Sequence, residues 1–137
     1  MERDFEVLEH TADVGIIAYG ADAKHAFANA ARGLFSLITE LDDINENLYC
    51  DIEVTATDEA ALLVNWLNEL IYQFDTHNFL FNRFEFSIFG HHQLKARAYG
   101  EMVDSSRHKL KTGIKAATYH LLEISQGGGR IRVIFDI

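Results

Sequence analysis

The sequence predicts an α+β domain, with two main helices packed as a two-layer structure on a mainly antiparallel or mixed β-sheet. Three observations carry that expectation. Two stretches place apolar residues at helical spacing, and several others alternate with period two or run as short apolar segments. The order (strand, strand, helix, strand, helix, then several strands) lacks the regular βαβ alternation of a parallel sheet. With 137 residues and 48% apolar content, a single domain over 1–137 has enough chain for a proper core.

Each element has its own warrant. Phe5-Glu6-Val7-Leu8 reads as a short strand and Val14 to Tyr19 as a second, mostly apolar one, closed by Gly20. Asp22 is placed to cap a helix whose stripe is Phe27, Ala30, Ala31, Leu34, Leu37, Ile38 and Leu41. Asp42 to Asn47 is an acidic connection. Asp51 to Thr55 alternates as a half-buried strand. Thr57 or Asp58 caps the next helix, which carries Leu63, Trp66, Leu67, Leu70, Ile71 and Phe74 on one face and runs to about Asp75. Trp66 on that stripe reads as a core anchor.

Phe79 to Phe89, alternating at Phe84, Phe86 and Ile88, and Leu94 to Val103 read as an antiparallel hairpin turning at Gly90-His91-His92. Residues 110–120 suit either a helix or a strand. Gly127-Gly128-Gly129 is a flexible turn that opens no helix, so it does not read as a phosphate-cradling loop. Arg130 to Ile137 closes the chain as a strand with Ile131, Val133 and Phe135 on one face and Arg132, Ile134 and Asp136 on the other.

Composition excludes several classes. A net charge of -9 argues against stable direct binding of nucleic acid, which needs Lys and Arg at its phosphates. The charge is lopsided: residues 1–60 hold 14 acidic and 3 basic side chains, residues 61–137 hold 7 and 9. That asymmetry can steer a protein partner, and a solvated surface accounts for it equally well. No apolar run reaches the ~18 residues of a membrane span. The first residues lack the pattern of a secretory signal. One cysteine, Cys50, allows neither an internal disulfide nor a thiolate zinc site. A cytoplasmic protein is expected.

The stretch Glu9-His10-Thr11-Ala12-Asp13-Val14-Gly15 puts a histidine and a carboxylate three residues apart at a strand junction. A second carboxylate, Asp136, ends the last strand beside Ile137. The Asp136 carboxylate, the Ile137 carbonyl and a terminal carboxylate would gather oxygens of the kind that hard divalent cations such as calcium or magnesium prefer. Asp13 completes a compact anionic site if the first and last strands are neighbours, with His10 as an outer hydrogen-bond partner or, as the lesser alternative, a ligand. The plainer reading of Asp13 is a turn former bonded to its own backbone. Lys115, in Lys111-Thr112-Gly113-Ile114-Lys115-Ala116, can balance the carboxylates or contact a partner's phosphate or acidic group; otherwise it is an exposed lysine. His108 and His120 are candidate general bases with no nucleophile visibly placed beside them. His91 and His92 read as a polar turn rather than a chelating pair.

Beyond these local readings, the chain resembles the archease family. The resemblance rests on Glu9-His10-Thr11-Ala12-Asp13-Val14-Gly15 with Ala18-Tyr19-Gly20, on Ala26 to Ala31, and on Leu63-Val64-Asn65-Trp66-Leu67-Asn68-Glu69-Leu70. It continues through Phe74-Asp75-Thr76, Arg107 to Thr112, Ile114 to His120 and Arg132-Val133-Ile134-Phe135-Asp136-Ile137, spanning essentially the whole chain. The resemblance implies a cytoplasmic, non-catalytic cofactor protein of the RtcB-type tRNA-splicing RNA ligase. Such a protein promotes guanylylation of the ligase, working with its GTP and metal, and lets it turn over repeatedly. It also implies a calcium site made by Asp13, Asp136 and the Ile137 carbonyl, and an activating lysine at Lys115. No departure from the family pattern falls at these positions; the local variation is the Gly127-Gly128-Gly129 turn. Two other classes stay in view: a general chaperone-like modulator of RNA-processing enzymes, and a small metallohydrolase.

Overall fold

The structure, a computed structural model, describes residues 3–9 and 13–137. His10 lies outside the described residues. The elements are β1 (Phe5–Glu9), β2 (Asp13–Tyr19), α1 (Ala23–Ile38), a 3-10 turn (Leu41–Asp43), β3 (Leu48–Thr55), α2 (Glu59–His77), β4 (Phe79–Phe89), β5 (Gln93–Met102), β6 (Ala116–Ile124) and β7 (Arg130–Asp136). The fold is α+β, with both helices against antiparallel strands. The strands divide into a four-stranded sheet in the order β1-β2-β7-β6 and a three-stranded sheet in the order β3-β5-β4. Every pairing is antiparallel, which removes the mixed alternative.

Both helices start where the sequence places their caps. The Asp22 carboxylate accepts from the His25 amide at 2.9 Å, and Asp58 accepts from Ala61 at 2.7 Å. Helix α1 stops at Ile38 because Thr39 turns extended and returns its N–H to the Phe35 carbonyl, so Leu41 falls in the 3-10 turn rather than on the stripe. Helix α2 runs to His77 and ends on Asn78 in the left-handed region (φ 60), whose N–H donates to Phe74.

Helix α1 touches β1, β2 and β7 of the larger sheet and β4 of the smaller, while α2 touches β6 of the larger and β3 and β4 of the smaller. Trp66 is the anchor its spacing predicts. It is fully buried, its Nε1–H donates to the Phe27 carbonyl at 3.1 Å, and its ring packs on Phe84 and Phe86. One side chain thereby joins both helices to β4. The hairpin turns at Gly90-His91-His92 as expected, but a register shift between Phe86 and Ile88 leaves Ile88 exposed.

Residues 109–115 form no regular element, and the strand begins at Ala116. Its periodicity was unreadable because β6 is broken inside. Thr118 pairs with Ile134, and the next matched pair is Glu123 with Arg132. Residues 119–122 bulge out between those rungs, and Leu121 sits at φ 54, a conformation costing a leucine about 1–2 kcal/mol. No helix among the described residues is long and apolar enough to cross a membrane.

In the smaller sheet, β5 passes so close to β4 at Gly100 that an added Cβ would lie 1.7 Å from the Leu80 carbonyl oxygen. Gly100→Ala is therefore expected to cost about 3 kcal/mol or more, since backbone rather than a flexible side chain must yield. Urea unfolding measures this, and a loss under about 1 kcal/mol would contradict the β4–β5 packing.

Candidate functional site

Strand β2 lies beside β7 in an unbroken antiparallel ladder from Asp13↔Asp136 to Tyr19↔Arg130. Alternate rungs, Val14↔Phe135, Ile16↔Val133 and Ala18↔Ile131, are buried on the core face. The intervening rungs face away from the core, and the first of them sets Asp13 directly opposite Asp136. Side chains opposite each other on an antiparallel pair share a face, with Cβ atoms about 4.5–5.5 Å apart. That is near enough for both carboxylates to reach one ion at the 2.3–2.6 Å of calcium–oxygen bonds. Asp13 is half-buried and Asp136 exposed.

The next rung on this face is Gly15↔Ile134. Ile134 is buried because its side chain lies over Gly15, where an added Cβ would meet the Ile134 Cδ1 at 2.6 Å. Gly15 thus leaves room for an apolar lid immediately behind the carboxylate pair. Sequence reasoning missed this role of Gly15; its signal is a glycine inside an otherwise apolar strand.

On the other side of β7, Ala116 pairs with Asp136, and the Lys115 amide donates to the Asp136 carbonyl at 2.8 Å. Lys115 is therefore carried to the same sheet end as the two carboxylates. Among the described residues its exposed ammonium has no carboxylate at ion-pair distance, and neither Asp13 nor Asp136 has a basic partner. Helix α2 reaches this end too, where Asn68 Oδ1 accepts from the Ala117 amide at 2.7 Å. An amide side chain beside the apolar stripe of α2 is the signal that could have found Asn68.

The loop that delivers Lys115 is fastened along its length. Thr39 Oγ1 donates to the Lys109 carbonyl at 2.8 Å, and the Lys111 amide donates to the Ile38 carbonyl at 2.8 Å. Upstream, Glu101 is buried and accepts from the Asn45 amide at 2.6 Å, from Arg107 and from His108 Nε2 at 3.0 Å. Burial pushes the Glu101 carboxyl up, but the bonds from Arg107, Asn45 and His108 outweigh it and hold it below the ordinary glutamate range. The Asp104 amide donates to His108 Nδ1 at 2.8 Å, which leaves Nε2 as the ring's donor to Glu101. Both nitrogens of His108 are thus occupied inside the protein. It is a structural histidine, not a base facing substrate.

His120 is exposed on the β6 bulge, and His91 sits on the hairpin turn with Nδ1 3.5 Å from Glu59. The glycine turn uses positive φ at Gly127 (83) and Gly128 (78), and Gly128 packs directly on Ala23 at the start of α1. It closes β6 onto β7 and packs against α1.

The donor set at the sheet end is wholly oxygen: the Asp13 and Asp136 carboxylates and the backbone oxygen of Ile137. Two like charges on one rung repel, and a hard divalent cation removes that repulsion while meeting its own preference for oxygen. Among the described residues no group of three or more His, Cys, Asp or Glu side chains converges, so an ion there would draw further ligands from backbone and water.

A profile of the Archease protein family (MTH1598/TM1083) matches residues 5–137. The chain is 38% identical to the protein archease of Sulfolobus acidocaldarius over 136 residues, covering 97% of this chain and 98% of that one. It is 35% identical to the protein archease of Methanosarcina mazei, covering 98% and 97%. The solution structure of Methanobacterium thermoautotrophicum protein 1598 superposes with a TM-score of 0.78 at 30% identity, covering 98% of this chain and 99% of that one. The crystal structure of a Thermotoga maritima archease, described as a possible chaperone, superposes at 0.62 with 19% identity over 95% and 94%, a likeness of fold.

Two outcomes follow from this geometry. In chelator, Asp136→Asn is expected to raise Tm by removing repulsion on the terminal rung, and calcium is expected to raise Tm for the native sequence but not for the variant. Calcium-independent melting of both proteins would remove the cation site. Separately, a carboxyl whose folded pKa is depressed contributes stability that is present above its unfolded value, near 4.5, and lost as pH falls through the folded one. Stability of the native chain should therefore fall more steeply below about pH 4.5 than that of Glu101→Gln, as read from urea midpoints across pH; parallel acid limbs would refute the role given to Glu101.

Proposed function

The chain belongs to the archease family, and from that premise we propose that it is a non-catalytic activator of an RtcB-type tRNA-splicing RNA ligase. It promotes guanylylation of the ligase and permits repeated turnover, acting in the cytoplasm through the acidic end of the β2–β7 ladder. The observation that carries this reading is the direct opposition of Asp13 and Asp136, with Lys115 tied to the same rung through its amide.

Each residue has a part that its position supports. Asp13, Asp136 and the Ile137 backbone oxygen would hold a divalent ion, calcium by the family resemblance, which would supply positive charge toward nucleotide phosphates. Lys115, exposed and without a carboxylate partner among the described residues, offers an ammonium to the same phosphates. Asp104 to Ile114 set the loop so that the ammonium stays at the sheet end. The metallohydrolase alternative needs a base beside the metal, and His108, one of its two candidates, has both ring nitrogens engaged within the fold.

A chaperone-like modulator of several RNA-processing enzymes is the second reading, favoured by the acidic excess of residues 1–60. Selectivity separates the two. In single-turnover guanylylation of the ligase, Asp13→Ala, Lys115→Ala and Asp136→Ala are each expected to reduce stimulation about 10–100-fold. Undiminished stimulation by all three folded variants would sink the activator reading. Equal stimulation of unrelated RNA enzymes, indifferent to Asp13 and Asp136, would establish the modulator instead.

A further inference from the structure

We propose that the β6 bulge is the anchor by which the ligase docks, with Tyr119 and Leu121 entering an apolar recess on the ligase beside its nucleotide site. This rests on the ligase-activator reading of the acidic end. The bulge is held in shape by contacts of its own. Arg132 Nε donates to the Leu121 carbonyl at 2.9 Å, and its Nη2 bonds Glu123 at 2.7 Å. Thr118 Oγ1 donates to the Ile134 carbonyl at 2.9 Å and accepts from the His120 amide at 3.3 Å.

What those bonds present is two large apolar side chains in solvent. Tyr119 is 58% exposed and Leu121 54% exposed. Leu121 is strained at φ 54, and most of its side chain lies in solvent, so little packing within this domain offsets the strain. Glycine or asparagine would take the same conformation more easily. Bulges do protect edge strands from pairing with other chains, and β6 is an edge. That purpose is served by the backbone, and better served by charged side chains than by a tyrosine and a leucine. Strain together with exposed apolar side chains points instead to a binding role.

Distance names the occupant. The bulge begins three residues after Ala116, which pairs with Asp136, so it lies roughly 10 Å along the strand from the acidic rung. An ordinary interface buries about 800 Å² on each partner, a patch roughly 30 Å across. A protein seated on Asp13, Asp136 and Lys115 therefore covers the bulge as well. Glu123 pairs with both Arg132 and Arg130 at the bulge's base, so the two apolar side chains stand beside His120 within a polar, net basic rim, the arrangement of an interface core and rim. Tyrosine is also a residue type that dominates such cores.

The test titrates ligase, with GTP and its metal, with the native chain, Tyr119→Ser and Leu121→Gly, reading both direct binding and stimulated guanylylation. Tm is read alongside, and Leu121→Gly is expected to melt no lower than the native chain because it relieves strain. Each variant should raise the concentration for half-maximal stimulation about ten-fold or more while reaching the native maximum. Asp136→Ala should show the opposite split, with a lowered maximum and little change in half-saturation. Half-saturation within two-fold of native for both bulge variants would overturn the docking role and leave the activator reading intact. A native chain that neither binds nor stimulates the ligase would overturn both.

Discussion

The pairing register of β2 with β7 is the constraint on which the rest of this structure depends. Side chains alternate across a strand, so a slip of one residue would turn either Val14, Ile16 and Ala18 or Ile131, Val133 and Phe135 out to solvent and bury that strand's aspartate. All six of those side chains are buried in the core. Burying a large aliphatic or aromatic side chain contributes about 1.5–3 kcal/mol. Two like charges on one rung cost about 0.2–1 kcal/mol. Burial wins by a wide margin, so the fold holds two carboxylates face to face as a by-product of packing its core. A site made this way needs no stabilising ligand to exist, and it keeps repulsion in reserve for a cation to relieve.

The same end of the sheet is reached from two other directions. Asn68 brings α2 to Ala117, and the 104–115 loop brings Lys115 to Asp136. That loop has no regular hydrogen-bond ladder, so its position depends on a few isolated backbone bonds and on side chains, of which the buried Glu101 is the hub. A buried carboxylate is costly unless its oxygens are filled, and Asn45, Arg107 and His108 fill them. Stability and positioning are thereby coupled: protonating or neutralising Glu101 loosens the base of the loop that carries the lysine.

How much of this could be read beforehand follows from the range of each interaction. Both helices, their caps at Asp22 and Asp58, the core role of Trp66 and the β4–β5 hairpin rest on spacing within a few residues, and the structure agrees with each. Asp13 and Asp136 are 123 positions apart in the sequence, and no local pattern joins them. Their meeting was conditional on neighbouring strands, and it is the second strand, not the first, that borders the last. The division into two sheets was equally hidden, because alternation marks a strand without naming its neighbour. Residues 110–120 were ambiguous because 110–115 form no regular element and the β6 bulge then breaks period two from 119 on. The Glu101–His108 hub left no periodic trace at all.

Charge gives the last reason to favour a local site over a diffuse acidic surface. The acidic excess of residues 1–60 looked able to bind basic partners broadly, but the fold spends much of it internally. Asp4 faces Arg32, Glu46 faces Arg83, Asp51 faces Arg97, Glu53 faces Lys95 and Glu40 faces Lys111. Exposed pairs of this kind add little stability, yet they do cancel the field that a non-specific partner would feel. Arg83 and Arg97 also lie over Tyr99 and Tyr49, at 3.7 and 3.9 Å, so those cations are doubly engaged. Asp13 and Asp136 are different: among the described residues they face each other and no cation. Charge left uncancelled at one rung, beside a lysine that no carboxylate pairs among the described residues, is local rather than diffuse, which is what the proposed partner, a nucleotide with its metal, would require.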